Sequence, residues 1–249
     1  MFLHRPDAIL HLQAFGPGPR RIIGLGGWIG SGELWHPPFG PLSRHWRCVA
    51  VDHRGSGASS ADGISFEAMV GDLLAVLEGE GRAVLAAESL GAMVAAEVAR
   101  RAPDRVAGLV LAGARLSGLP DSGSAALAAG CRADFDATMA AFVEACVPEV
   151  DGAPHRAWGR QVCARSSAGA ALALLAAAEG RDQRPALRGF AGPVLFLHGA
   201  HDAIAPLGEI EALVASMPDA RLAVIDDAGH VPTVTRPERV AAEIEAAFP

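Results

Sequence analysis

The sequence predicts an α/β fold in which helices cover both faces of a mostly parallel sheet. Apolar, β-rich runs alternate with helical patterns from one end of the chain to the other, which is typical of βαβ units. Several of these runs are almost continuously apolar, as expected of strands that are buried on both faces. A chain of 249 residues is also long enough to form one substantial core.

The individual elements follow from the hydrophobic periodicity. Strands are predicted at residues 8–15, 21–25, 47–51, 83–87, 106–112, 193–198 and 221–225, and helices at 66–77, 90–101, 207–216 and 237–248. In the last helix, Val240, Ile244 and Phe248 share one face, and Pro237 suits the first turn.

One stretch interrupts the alternation of strands and helices. From residue 117 to about 189 the sequence is alanine-rich and has no strand pattern, which predicts an insertion of three or four helices. The chain would then consist of a core at 1–116, a helical cap at 117–189 and the rest of the core at 190–249. An insertion at the carboxyl edge of a parallel sheet tends to cover the crevice where ligands bind, although a purely structural excursion is the alternative.

The composition excludes several classes of function. The formal net charge is −7, and all 21 basic residues are arginine. Without lysine there can be no Schiff-base lysine, no pyridoxal-phosphate anchor and no P-loop lysine. An acidic chain that lacks a dense basic run is also a poor nucleic-acid binder.

The sequence favours a cytoplasmic protein that has no membrane segment and no metal. Its longest small-apolar run, at 168–178, has 11 residues, whereas a membrane span needs about 20. Charges at the N-terminus interrupt the apolar stretch that a signal peptide requires. The four cysteines lack CxxC spacing and are expected to be buried thiols. A metal site formed by Cys146, His155 and Cys163 is the alternative, but its ligand spacing is unfamiliar.

A candidate nucleophile lies where an apolar strand runs directly into a helix. Residues 83–91 read AVLAAESLG, so that Ser89 stands between the small residues Ala87 and Gly91. A nucleophile elbow needs small residues at these two positions because its turn is very sharp. The alternative is that Ser89 only caps the helix.

Two later loops supply partners for this serine. Asp202 follows the strand predicted at 193–198, and His230 follows the strand predicted at 221–225. The carboxyl ends of parallel strands meet at one edge of a sheet, so the three side chains can converge there. A histidine can take the serine proton while a carboxylate orients its ring. Asp226 and Asp227 are alternative partners, but they lie very close to His230 in sequence.

These motifs resemble those of the α/β-hydrolase superfamily. The matching stretches lie at 25–35, 52–59, 87–95, 102–111, 197–206 and 228–238. The sequence is most similar to the small cofactor-free branch that contains 3-oxoadipate enol-lactonase-like enzymes, biotin-pathway methyl esterases and acyl thioesterases. The resemblance implies an α/β-hydrolase fold with an eight-stranded sheet and a helical cap. It also implies a catalytic triad of Ser89, Asp202 and His230 that works without a cofactor.

The resemblance further assigns an oxyanion hole to the backbone N–H groups of Trp28 and Leu90. Such donors stabilise the negative oxygen of a tetrahedral intermediate, and Gly27 would lie beside the substrate. The sequence departs from the family at two positions. Gly26 replaces a histidine that often braces this loop, and Ala87 replaces the first glycine of the elbow.

Three further residues are candidates for substrate binding. Arg115 could meet an anionic group of the substrate, with a surface ion pair as the alternative. Phe142 and Trp158 could line an apolar pocket, with packing inside the cap as the alternative. Glu88, next to the candidate nucleophile, is expected to have a structural role.

Taken together, the sequence predicts a serine hydrolase that cleaves a small-molecule ester, thioester or lactone through an acyl-enzyme on Ser89. The same triad could instead support C–C bond hydrolysis or a cofactor-free lyase step. A third reading is a receptor-like protein that binds a small molecule with little turnover. No nucleic-acid or membrane partner is expected, and the sequence does not indicate an oligomeric state.

Overall fold

A single mixed sheet organises the computed structural model, which describes residues 1–60, 62–118 and 122–249. Within these residues the strands are β1 (Phe2–Arg5), β2 (Ala8–Phe15), β3 (Arg20–Leu25), β4 (Trp46–Val51), β5 (Ala83–Glu88), β6 (Val106–Ala112), β7 (Val194–Gly199) and β8 (Ala220–Ile225). Their order across the sheet is β1-β2-β4-β3-β5-β6-β7-β8. The β1–β2 and β2–β4 pairs are antiparallel and all other pairs are parallel. The predicted fold class is therefore confirmed.

Helices cover both faces of this sheet. In the described part of the chain they are α1 (His36–Leu42), α2 (Phe66–Glu80), α3 (Gly91–Arg101), α4 (Ser122–Ala133), α5 (Phe135–Cys146), α6 (Ala153–Cys163), α7 (Ala168–Ala178), α8 (Arg184–Arg188), α9 (Leu207–Val214), α10 (Pro232–Thr235) and α11 (Pro237–Ala247).

Two apolar layers, one on each side of the sheet, form the core. Leu85 of β5 points into the layer that contains α2 and α3, whereas its neighbours Val84 and Ala86 point into the layer that contains α1 and α11. All six residues of β5 are buried. This two-sided burial explains why the central strands have almost continuously apolar sequences.

The stretch between β6 and β7 is helical, as its sequence predicts. Five helices, α4 to α8, occupy its described residues, which is more than the three or four predicted because the short helix α8 follows the longer ones. Residues 119–121 of the predicted insertion lie outside the described part. Asp134 and Ser167 cap α5 and α7 by accepting hydrogen bonds from backbone N–H groups of the first turn. The division into core and cap at residues 116 and 189 stays a prediction.

None of the described helices alone is long and apolar enough to cross a bilayer, and only α6 and α7 taken together would reach that length. These two helices are bent by 91° relative to each other.

Of the elements named above, three outside the helical insertion were not predicted from the sequence, namely β1, α1 and the four-residue helix α10. Strand β1 has only four residues, and none of them is buried, so it lacks the apolar run that marks the other strands. Helix α1 has the sequence HPPFGPL, whose three prolines argue against a helix. Two of them lie in its first turn, where the missing N–H is not needed. Its Phe39 is fully buried, so packing stabilises this short helix.

A buried arginine connects the loop after β4 to helix α2. Only 2% of Arg54 is exposed, and its Nε and Nη2 atoms donate to the two carboxylate oxygens of Asp72 at 2.7 and 3.0 Å. Nη2 also donates to Asp7. Paired in this way, the guanidinium fixes the loop at residues 52–59, which lies beside the candidate site described below.

We predict that Asp72→Ala lowers the free energy of unfolding by about 3–5 kcal/mol, because it leaves a buried guanidinium without its main partner. Glu78→Ala is the matched control. It lies on the same helix and removes an exposed pair with Arg105, which should change stability by no more than about 1 kcal/mol. Urea unfolding monitored by tryptophan fluorescence measures both, and equal losses in the two variants would contradict the prediction.

Candidate active site

Ser89 lies on a strained turn between β5 and α3. Its φ angle is +50°, and it is the only residue other than glycine that has a positive φ in the described part of the chain. Backbone hydrogen bonds hold the turn, because the Ser89 N–H donates to Ala112 and its carbonyl accepts from Arg115. Such strain persists only where the surroundings enforce it, and it is typical of a nucleophile elbow.

The glycine that follows this serine is required by close packing. A Cβ atom on Gly91 would overlap the carbonyl oxygen of Gly26, because the first turn of α3 lies against the loop after β3. Ala87, the other small residue of the elbow, is completely buried in β5. The packing therefore brings the serine and the glycine-rich loop together.

The three side chains that the sequence singled out meet at the carboxyl edge of the sheet. Nε2 of His230 lies 3.0 Å from Oγ of Ser89, and Nδ1 lies 2.8 Å from Oδ2 of Asp202. Of the two alternative acids, Asp227 pairs with Arg236 instead. The distances thus connect Ser89, His230 and Asp202 in one chain of hydrogen bonds.

The surroundings of Asp202 keep it ionised. Burial by itself raises the pKa of this carboxyl group, but the hydrogen bond from His230 and the backbone N–H groups of Ala205 and Ile204 bring it below its ordinary value. A carboxylate only accepts hydrogen bonds, so Nδ1 of His230 must carry the proton of the neutral ring. The lone pair of Nε2 then faces the serine hydroxyl.

A second histidine, which sequence reasoning missed, lies behind Asp202. His198 is buried at the end of β7, with its Nε2 atom 2.9 Å from the Ala205 carbonyl oxygen and 3.4 Å from Oδ2 of Asp202. Burial lowers its pKa, so the ring is neutral near pH 7. It supports the loop that carries Asp202 without adding a charge.

The segment between α5 and α6 fixes the loop that carries His230. The His230 N–H donates to the carbonyl of Cys146, and the Gly229 N–H donates to the Glu149 carboxylate at 2.8 Å. A Cβ atom on Gly229 would overlap Pro148. Glu149 was also missed, because nothing in the sequence distinguishes it from a surface acid.

The predicted oxyanion donors lie beside the serine. A Cβ atom on Gly27 would be 3.0 Å from Cβ of Ser89, so the glycine-rich loop touches the candidate nucleophile. Among the described residues no acceptor pairs with the backbone N–H of Trp28 or Leu90. The Trp28 indole donates to the Ala171 carbonyl of α7 at 2.8 Å. Both backbone donors therefore remain available to a ligand.

Two cavities border Ser89, and the aromatic pair of Trp28 and Phe142 borders both. The two rings contact each other edge to face, with centroids 5.2 Å apart. The smaller cavity, of about 70 Å³, is mostly apolar and is bordered by Gly27, Trp158 and His230. The larger, of about 270 Å³, is more polar and is bordered by Leu90 and Arg115.

The other candidate residues have mixed surroundings. Nη2 of Arg115 lies 3.5 Å from Oγ of Ser124.

All four cysteines are free and buried, and Cys146 and Cys163 border the smaller cavity. Burial raises the pKa of both thiols, that of Cys163 to about 11. No group of three or more potential ligands in the described chain is arranged to hold a metal ion.

Glu88 is a buried carboxyl group beside the smaller cavity. Only 1% of it is exposed. The Thr233 hydroxyl donates to its Oε1 atom at 2.8 Å, whereas Oε2 has no hydrogen-bond partner among the residues that the structure describes. Burial raises its pKa to about 7. This side chain therefore titrates close to neutral pH, next to the candidate nucleophile.

Comparison with known proteins gives one consistent family. The model of the "Alpha/beta hydrolase family" matches residues 22–243. The chain is 34% identical to a pimeloyl-[acyl-carrier protein] methyl ester esterase of Aromatoleum aromaticum over 98% of both chains. These matches agree with the resemblance inferred from the sequence motifs.

Solved structures give the same result. A thermophilic esterase from Thermogutta terrifontis is 29% identical, with a TM-score of 0.85 over 96% of this chain and 92% of that one. An enol-lactonase from Burkholderia xenovorans has a TM-score of 0.88 over 97% and 96% of the two chains. Its identity is 22%, so this second match supports the fold.

The raised pKa of Glu88 should appear in the pH dependence of stability. Between about pH 4.5 and 7 the folded protein holds a proton that the unfolded chain releases, so the free energy of unfolding falls as pH rises through this window. Glu88→Gln removes this titration and keeps the acceptor for Thr233. We predict that the free energy of unfolding of the variant, measured relative to that of the wild type, rises by about 3 kcal/mol from pH 4.5 to pH 8.

Urea unfolding of both proteins at pH 4.5 and pH 8 tests this prediction. Glu78→Gln, an exposed change on helix α2, is the control and should show no such gain. A stability difference between Glu88→Gln and wild type that is the same at both pH values would contradict it.

Proposed function

The chain belongs to the alpha/beta hydrolase family, and we propose that it cleaves a carboxylic ester, thioester or lactone of a small molecule through an acyl-enzyme on Ser89. The names of its esterase relatives support this proposal. The single observation that carries the proposed mechanism is the hydrogen-bonded chain from Ser89 through His230 to Asp202.

The first half of the reaction forms the acyl-enzyme. His230 Nε2 takes the hydroxyl proton as Ser89 Oγ attacks the carbonyl carbon of the substrate. The carbonyl oxygen becomes negative and accepts hydrogen bonds from the N–H groups of Trp28 and Leu90. Asp202 stabilises the imidazolium ring, which then protonates the oxygen or sulfur of the leaving group as its bond to carbon breaks.

The second half regenerates the serine. A water molecule gives a proton to His230 Nε2 and attacks the acyl carbon, and the same two N–H groups hold the oxyanion. The ester bond to Ser89 breaks, His230 returns the proton to Oγ, and the carboxylic acid leaves.

Both cavities border Ser89, so the two parts of an ester, its alcohol and its acyl chain, can lie in different cavities. The leaving group needs a proton from His230, and the smaller, apolar cavity borders His230. We therefore place a small alcohol there and the acyl chain in the larger cavity, beside Arg115. A methyl ester fits this division, and the relative from Aromatoleum aromaticum is by name a methyl ester esterase.

Labelling with a fluorophosphonate tests the nucleophile. The probe should modify the peptide that contains Ser89, and Ser89→Ala and His230→Ala should abolish labelling. Both substitutions should lower kcat for an activated ester by about 10⁴-fold or more, while their thermal unfolding stays close to wild type. Absence of labelling in folded wild-type protein, or near-normal turnover by Ser89→Ala, would overturn the proposal in favour of a non-hydrolytic or ligand-binding role.

A series of esters with one acyl group tests the placement of the alcohol. With a fixed hexanoyl chain, kcat/KM should fall by about 10-fold or more from the methyl to the n-hexyl ester, because both alcohols are unhindered at the ester oxygen and only the longer one outgrows the smaller cavity. Trp158→Ala, which enlarges that cavity, should reduce the difference. Trp158→Phe keeps most of the bulk and is the control. A preference for the n-hexyl ester in the wild type would reverse the assignment.

A further inference from the structure

His53 links the loop after β4 to the predicted oxyanion loop. Its ring is buried, with 6% exposed. Nε2 lies 2.7 Å from the carbonyl oxygen of Gly27, and Nδ1 lies 2.9 Å from the carbonyl oxygen of Arg54. The shorter contact is the one to Gly27, a residue that touches Ser89.

The carbonyl of Gly27 and the N–H of Trp28 belong to the same peptide group. The described chain has no cis peptide bond, so these two groups lie in one plane and point in opposite directions. A donor that holds the Gly27 oxygen therefore also sets the direction of the Trp28 N–H. We propose that His53 is a positioning residue, whose Nε2–H holds this peptide so that the Trp28 N–H points at the substrate oxyanion. This inference rests on the proposed function.

The loop needs such support because of its composition. Gly26 and Gly27 precede Trp28 directly, and glycine allows a wide range of backbone angles. Position 26 has no side chain to brace the loop. The indole N–H donates to the Ala171 carbonyl, which fixes the side chain of Trp28, whereas His53 contacts the carbonyl of the backbone peptide that precedes it. A hydrogen bond to a peptide oxygen also polarises its N–H and makes it a better donor.

His53 itself is held firmly in place. The Ser56 hydroxyl donates to the His53 carbonyl at 3.0 Å, and Arg54 is fixed by its pair with Asp72. A second contact joins the same two loops, because the Gly32 N–H donates to Asp52 at 2.8 Å. These contacts fix the loop at residues 52–59 and therefore the position of the His53 ring.

Three variants test the proposal. His53→Leu removes the ring N–H that can donate to Gly27 and fills the space with an apolar side chain. His53→Gln supplies a side-chain N–H that can reach the position of Nε2. Ser60→Ala removes a different hydrogen bond of the same loop, the one that the Ile9 N–H donates to the Ser60 hydroxyl, and leaves both contacts of the His53 ring in place; it is the matched control. All three are compared with wild type in ester hydrolysis, and their thermal unfolding shows whether they fold.

The expected pattern separates positioning from general loosening of the loop. His53→Leu should lower kcat by about 10- to 100-fold, below the loss seen when an oxyanion donor is deleted, with KM changed by less than about 3-fold. His53→Gln should recover most of the rate, and Ser60→Ala should stay close to wild type. If His53→Leu folds and keeps its kcat, or if Ser60→Ala loses as much as His53→Leu, the proposal is wrong.

An inhibitor gives a second readout that a purely structural role would not change. A trifluoromethyl ketone forms a tetrahedral adduct with an active serine, and its oxygen occupies the oxyanion site. Its affinity should fall in His53→Leu by the same factor as kcat. An unchanged affinity would overturn the proposal, even if kcat fell.

The two proposals fail in different ways. If wild-type protein is not labelled at Ser89 by the fluorophosphonate, the proposed function fails and this inference fails with it. If Ser89 is labelled and Ser89→Ala is inactive while folded His53→Leu retains full kcat, only the role of His53 is refuted.

Discussion

The sharp turn at Ser89 is the constraint on which the arrangement of the site depends. It holds a non-glycine residue at a φ of +50°, and it brings the start of α3 against the loop that follows β3. No side chain fits between them at Gly91. Because the backbones touch, Ser89 lies against the glycine-rich loop, where a Cβ atom on Gly27 would be 3.0 Å from Cβ of Ser89. The rest of the sheet supports this junction by burying β5 on both faces.

The polar side chains next to Ser89 are almost completely buried. Asp202 is compensated by His230 and two backbone N–H groups, so burial leaves it ionised. Glu88 has one hydroxyl partner, and its pKa rises to about 7. The two carboxyl groups differ in the number of donors that reach them. Because of this difference, Asp202 stays ionised as the partner of His230, whereas Glu88, with a pKa of about 7, is protonated at lower pH.

Sequence reasoning found the parts of the site that depend on local pattern. The strand-to-helix junction at Ser89 and the loops carrying Asp202 and His230 each had a readable context, and the sheet itself followed from apolar runs. Residues that act across long distances along the chain had no such signal. Thr233 and Glu149 reach their partners over 145 and 80 residues, respectively, and side-chain contacts of this kind depend on the packed structure. The same holds for α1, where burial of Phe39 outweighs an unfavourable sequence.

The helices between β6 and β7 contribute to the frame of the site as well as to its walls. The Ala171 carbonyl accepts the Trp28 indole N–H, while Cys146 and Glu149 hold the backbone of the His230 loop. The proposed acyl transfer needs accurate placement of a donor loop and a base, and both are thus tied to the same insertion. A shift of these helices would move the base relative to the nucleophile, and displacements of about 1 Å are enough to slow an enzyme. Changes within the insertion should therefore alter kcat as well as substrate preference, which separates this arrangement from a lid that only admits or excludes ligands.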